Sequence, residues 1–290
     1  MPGVARSPQP VAVVTDSTAY LPDGVARSAP LTVVPLTVVI DGVEGQEGIE
    51  VFPQDVARAL VARRVAVTTS RPAPAQFAEV YQRLLDAGAP GVVSVHLSAR
   101  LSGTYDAAVL AAADFANRVA VVDSRSTGMG LGFPALAAAA VAGCGELSRV
   151  RDAAVAAVPR TTTLFYVDTL EFLRRGGRIG AASALLGTAL SVKPILHMAG
   201  GEILVRDKVR TASRALARLV DLAADAAGQS TVDVGVHHLA AAERAADLAD
   251  RLAQRLGDRL GACHLTEVGA VVGAHVGPGA TSIVVSRRPS

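Results

Sequence analysis

Tryptophan is absent, and only four tyrosines and six phenylalanines occur in 290 residues. Aromatic platforms for stacking single-stranded nucleic acid are therefore scarce. Lysine is nearly missing as well: Lys193 and Lys208 are the only two, the remaining basic residues are arginines spread along the chain, and the formal net charge is +2. With no basic face in the sequence, nucleic-acid binding is not expected. The only cysteines, Cys144 and Cys263, lie far apart with no Cys-x-x-Cys spacing. Neither a disulfide framework nor a zinc site is expected, and both read as buried small hydrophobes. No window supplies the run of about 20 apolar residues that a membrane helix needs. Residues 1–10 lack the basic start, apolar run and cleavage site of a secretory signal. A cytoplasmic protein without stable membrane insertion is expected.

Hydrophobic residues, by contrast, make up half of the chain, ample for a large core. Short β-branched runs alternate with alanine-rich stretches, the pattern of successive βα units. Strands are expected at 11–15, 31–40, 65–67, 91–96 and 119–123, and helices at 53–63, 74–87, 102–116 and 128–142. Runs such as Val-Ala-Val-Val argue for strands covered on both faces, hence a mainly parallel sheet. After Pro159 the texture changes, with a hairpin expected at Gly200 and Gly201, helices at 211–227 and 240–256, and strands near 232–237 and 281–286. The expected fold is α/β: a mainly parallel-sheet N-terminal lobe at 1–160 and a second α/β lobe of mixed sheet at 161–290.

Ligands of open parallel sheets settle beyond the carboxyl ends of the strands. Small hydroxyl residues recur there: Thr15, Asp16, Ser17 and Thr18; Thr68, Thr69 and Ser70; Ser98, Ser102 and Thr104; Ser124, Ser126 and Thr127. A helix cap accounts for any one cluster. Several on one sheet edge would make a neutral anion cradle of hydroxyls and exposed amides. Gly103 would let backbone approach a ligand closely.

The sequence resembles the DegV family. The residues that carry the resemblance are Thr-Asp-Ser-Thr at 15–18, Thr-Ser-Arg-Pro at 69–72, Leu-Ser-Gly-Thr-Tyr at 101–105 and Asp-Ser at 123–124. They continue with Gly-Gly-Arg-Ile at 176–179, Lys-Pro-Ile-Leu at 193–196 and Gly-Ala-His-Val-Gly-Pro-Gly at 273–279. The resemblance implies a two-lobed carrier, not an enzyme, that holds one palmitate-like long-chain fatty acid in a slot between or beneath the lobes and presents it to a fatty-acid kinase. It also implies Thr69 and Ser102 as carboxylate donors with Ser70 and Ser98 close by, and no cofactor or metal. Arg71, Ala73 and Asp106 depart from the residues the family often has, which touches the finer geometry of the head-group shell.

Other motifs admit two readings. Leu173 to Ile179 could be a helix C-terminus with glycines at the turn, or Arg174 and Arg178 could help close the site or meet a partner. His275, between glycines in a constrained loop, reads as a head-group neighbour or part of the kinase-facing surface. Asp16 reads as ordering its own turn or pairing with an arginine, and His96, His197, His237, His238 and His264 as structural histidines. No Gly-x-Ser-x-Gly elbow, His-Glu-x-x-His or Walker lysine motif occurs, and Phe133 stands where a dinucleotide turn needs its last glycine. A serine-type hydrolase using Ser102 and His275 on an acyl substrate is the alternative.

Overall fold

The computed structural model describes residues 9–22, 24–25, 31–62, 65–185 and 192–289. The reading of residues 1–8 and the last residue of the 53–63 helix fall outside them. The first lobe is built on a four-stranded, all-parallel sheet of β1 (Ala12–Asp16), β2 (Leu31–Val34), β6 (Val92–His96) and β7 (Val119–Asp123), in the order β2-β1-β6-β7. Every residue of β6 is buried, as a strand covered on both faces requires. The segment expected as one strand at 31–40 is two. Pro35 cannot donate to a ladder, the chain leaves the parallel sheet there, and β3 (Thr37–Ile40) starts a separate antiparallel sheet with β4 (Val43–Gln46) and β5 (Val67–Ser70).

This break corrects the hydroxyl pattern as well. The strand expected at 65–67 runs from Val67 to Ser70 in that second sheet, so Thr68, Thr69 and Ser70 lie within it rather than beyond a strand of the parallel sheet. They do not cap the next helix, α2 (Pro74–Asp86), whose first turn is closed by the Gln76 side chain accepting from the Ala73 N–H at 2.8 Å. The shorter helix α1 (Pro53–Ala62) precedes it. Helices α3 (Thr104–Ala112), α4 (Met129–Val141) and α5 (Leu147–Ala157) complete the lobe.

Helix α4 packs against β1 and β6 of its own lobe and against two strands of the other, β8 (Thr161–Tyr166) and β13 (Thr281–Arg287). A helix with sheet on both sides has no wet face, which accounts for its run of glycine, alanine, Met129, Leu131 and Phe133, all in the buried set or small. The second sheet reads β10-β9-β8-β13-β11-β12, adding β9 (Lys193–Ala199), β10 (Glu202–Val209), β11 (Val232–His238) and β12 (Leu260–Glu267). Only β11 and β12 are parallel neighbours in it. Helices α7 (Ala212–Ala227) and α8 (Ala242–Leu256) cover one face, their leucines packed on Leu164, Val234 and Ile283. The expected hairpin is there: Gly200 and Gly201, with φ of +59° and +88°, form the two-residue loop between β9 and β10, the conformation a tight hairpin of this twist demands.

Among the elements not anticipated from the sequence are α5, β4, β8 and β12. Strand β12 lies at the sheet edge and alternates half-buried with exposed residues, so Cys263 is exposed, and Cys144 is half-buried. Neither is the buried small hydrophobe expected. Among the described residues no helix is long and apolar enough to cross a membrane.

Candidate functional site

A cavity of about 390 Å³ lies where the two lobes meet. Residues from two sheets face it: Thr69 and Ser70 of β5, and Phe165 of β8 with Met198 and Ile203 of the β9–β10 hairpin. The loop after β6 contributes Leu101, Ser102 and Gly103, and the short helices α6 (Glu171–Arg175) and α9 (Ala270–Val276) contribute Leu173, Val272 and His275. The wall is thus largely apolar, with a compact polar group at Thr69, Ser70, Arg71, Ser102, Arg178 and His275.

His275 is not in a loop, as expected, but in the last turn of α9, whose following Gly277 has φ of +76°. Its Nε2 is 2.9 Å from Thr69 Oγ1, while its Nδ1 is buried and has no hydrogen-bond partner among the described residues. Burial, reinforced by the nearby Arg178 guanidinium, brings its pKa down to about 4, so the imidazole is neutral at pH 7. Gly176 makes room for it, since a Cβ there would fall 2.1 Å from Nδ1. The arginine-glycine motif is a helix C-terminus, the first of its two readings. Gly176 and Gly177 end α6, with the Arg178 N–H returning to the Leu173 carbonyl at 2.9 Å as in a left-handed helix stop. Arg178 then lines the cavity and donates to the carbonyls of Leu101 at 3.0 Å and Gly176 at 2.6 Å. Arg174 does not reach the cavity; it is half-exposed and pairs with Glu171 at 2.7 Å.

The loop after β6 is ordered by its own hydroxyls. Ser102 Oγ lies 2.9 Å from Thr104 Oγ1 and accepts from the Thr104 N–H at 3.3 Å, at the mouth of α3. Thr104 itself is fully buried. Ser98, expected beside the carboxylate, is not in the cavity wall: its hydroxyl donates to the Gly201 carbonyl at 2.6 Å, tying this loop to the hairpin of the second lobe. Asp16 is also away from the cavity. It accepts from the Thr18 N–H and hydroxyl, so it does order its turn, but its side-chain partner at 3.0 Å is His96 Nδ1 and not an arginine. His96 Nε2 in turn accepts from Ser94 at 2.6 Å, and Ser94 from Tyr81 at 2.9 Å. This Ser-His-Asp series is closed to solvent, every member being 0 % exposed, and it braces the ends of β1 and β6.

His237 and His238 line the cavity from the end of β11. His237 Nε2 accepts from the Met129 N–H at 2.9 Å, so its proton sits on Nδ1, 2.7 Å from Thr266 Oγ1. Burial lowers its pKa to about 4. Two cavity residues that carried no expectation are Tyr20 and Thr281, and behind Tyr20 stands a buried carboxylate, Glu47. Glu47 accepts from the Ser17 hydroxyl, from Tyr20 at 3.0 Å and from the Val271 N–H at 2.7 Å, capping the start of α9. Burial raises the Glu47 pKa and, with that carboxylate alongside, raises Tyr20 well above the usual phenol range. The oxygens Thr127 Oγ1 and Thr281 Oγ1 are buried without a partner among the described residues.

Among the described residues no histidine is hydrogen-bonded to Ser102: His275 Nε2 is engaged with Thr69, and Ser102 with Thr104. Among the described residues no group of three or more His, Cys, Asp and Glu side chains could hold a metal ion.

The model of an uncharacterised-protein family, the DegV family, matches residues 10–288. A DegV domain-containing protein of Streptomyces coelicolor is 55% identical over 281 residues, covering 96% of this chain and 99% of that protein. One from Mycobacterium bovis is 40% identical over 277 residues, covering 95% and 96%. Among solved structures, a DegV family protein from Thermus thermophilus described for its fatty-acid binding superposes with a TM-score of 0.90 at 32% identity, over 97% of this chain and 100% of that one. DegV of Bacillus subtilis, described as a fatty-acid-binding protein, gives 0.86 at 30% identity, over 96% and 99%.

Proposed function

This chain belongs to the DegV family, and on that premise we propose that it is a carrier of a single long-chain fatty acid. The observation that carries the reading is the group of Thr69, Ser102 and His275, with Arg71 and Arg178 beside it, in a cavity that also has apolar walls of leucine, valine, Phe165, Met198 and Ile203. With its proton on Nε2, His275 donates to Thr69 Oγ1 and turns the Thr69 O–H toward the cavity, where a carboxylate would accept it. Ser70 and Ser102 supply further hydroxyls, while Ser98 and Thr104 hold the loop that presents Ser102. Burying a methylene contributes roughly 0.8 kcal/mol, so a tail of about 15 carbons offers on the order of 12 kcal/mol before ordering costs. Affinity then comes from the tail, and the hydroxyls fix the orientation of a palmitate-like acid.

Neutral donors grip a carboxylate less firmly than a bidentate arginine pair. That suits an acid handed on to a cytoplasmic fatty-acid kinase for acyl-phosphate formation, with Arg178 and the exposed Arg174 on the lobe that would meet it. The lobes in this reading are residues 1–160 and 161–290. Hydrolysis through Ser102 is disfavoured because its hydroxyl pairs with Thr104 and the nearby His275 Nε2 with Thr69. The test is organic extraction of the purified protein followed by mass spectrometry. One equivalent of intact long-chain acid is expected; an empty cavity with esterase turnover would overturn the carrier.

A further inference from the structure

A second hollow, a groove of about 680 Å³, runs beside the turn that follows β1. Tyr20 is the one described residue that lines both this groove and the cavity between the lobes. It is held unusually firmly. Its hydroxyl donates to Glu47 at 3.0 Å and accepts from the Val272 N–H at 3.1 Å, and its carbonyl accepts from Thr266 at 3.4 Å. Its ring stands edge-on to His237, the centroids 6.2 Å apart at 78°. The backbone has φ of 46°, a left-handed conformation that costs a non-glycine residue energy and persists only where the surroundings impose it. Gly269 leaves room for the ring, since a Cβ there would lie 2.5 Å from it. Tyr20 is therefore a fixed partition.

On the cavity side Tyr20 stands with His237 and Val268, whereas Thr69, Ser102, Arg178 and His275 form the polar group elsewhere in the wall. On the groove side Leu21, Pro22 and Pro35, with the exposed apolar side chains of Val33, Ile49 and Leu265, stand among the polar Asp16, Ser17, Glu47, Thr266 and Glu267. The apolar side chains of that lining can receive methylene groups, and the carboxyl groups of Glu47 and Glu267 beside them do not invite an acid headgroup. We propose that Tyr20 is the end stop of the acyl slot, and that it sets the longest chain the protein accepts. This rests on the fatty-acid reading above and adds the residue that determines length.

The experiment loads delipidated wild-type, Tyr20→Phe, Tyr20→Ala, Tyr20→Gly and Tyr20→Trp proteins with an equimolar mixture of saturated acids, about 14 to about 22 carbons long. Native mass spectrometry then reads which lengths are retained. Wild type and Tyr20→Phe should share one cut-off, because the ring is the wall and its hydroxyl is the anchor. Tyr20→Ala and Tyr20→Gly should accept longer acids, gaining up to about fourfold per added methylene beyond the wild-type limit. Tyr20→Gly also relieves the backbone strain, and Tyr20→Trp should shorten the cut-off if opened variants fail to fold. Retention of acid with the same length profile in the Ala, Gly and Trp variants would overturn the end stop while leaving the carrier intact. A wild-type protein that retains no acid of any length would overturn the carrier reading and the end stop with it.

Discussion

Acidification should weaken the fold through His237, by an amount that can be worked out. The side chain is 2% exposed, accepts a hydrogen bond from the Met129 N–H, and has its pKa brought down to about 4 by burial. In the unfolded chain it returns to about 6.5. The unfolded state therefore takes up the proton first as pH falls, so this group's contribution is complete above pH ~7, declines below ~6.5 and is exhausted below ~4. Between pH 7 and pH 5 the loss comes to about 2 kcal/mol from this one side chain. His275 titrates in the same sense, so the effect of His237 is isolated by comparison with His237→Gln, whose side-chain oxygen can accept from Met129 without ionising. Urea unfolding of both proteins across that interval should show the wild type losing about 2 kcal/mol more than the variant. Ring ¹⁵N shifts should show the Nδ1–H tautomer at pH 7. Parallel stability curves for the two proteins would refute the reasoning.

The double change Thr69→Ala and Ser102→Ala should weaken acid binding by roughly 10- to 100-fold, at one to two hydrogen-bond equivalents to a charged group, with the melting temperature little altered; displacement of a fluorescent acid measures it, and unchanged affinity would count against this site. Gly176→Ala pushes a Cβ to 2.1 Å from His275 Nδ1, and should disturb acid binding more than stability, as titration calorimetry and melting on one sample would reveal. Gly277→Ala combines a φ of +76° with a Cβ 2.0 Å from the Phe172 ring, and should cost more than about 1 kcal/mol in thermal unfolding. Glu47→Ala removes the acceptor of three donors, and should destabilise by about 3 kcal/mol, visible as a lowered urea midpoint.

The parts of the fold that the sequence announced are those with a strong local period or a turn residue that has one use. The buried runs of β1, β6 and β7, the alanine-rich helices and the Gly200-Gly201 hairpin belong to that class. What escaped it depends on partners distant in the chain. Pro35 divides an apolar run whose hydropathy is continuous, and only the pairing of β3 with β5 decides where Thr69 sits. Strand β12 alternates because it is an edge, and an edge is a property of the assembled sheet. In the site, Thr69, Ser70, Ser102, Arg178 and His275 could be singled out from motifs and do come together. Ser98 and Thr104 carry the same hydroxyl chemistry, but which serine is spent on a backbone carbonyl is fixed by contacts across the lobes. Glu47 had no signal at all, since an isolated glutamate in a polar turn ordinarily faces water.

Helix α4 has a consequence for how a lipid could enter. Met129 and Phe133 are packed against Val284 of the opposite lobe, so swinging the lobes apart like a book would strip two large side chains into solvent. At about 1.5–3 kcal/mol each, that opening would hold fewer than about one molecule in a hundred at any moment, so a lipid meets the two halves closed.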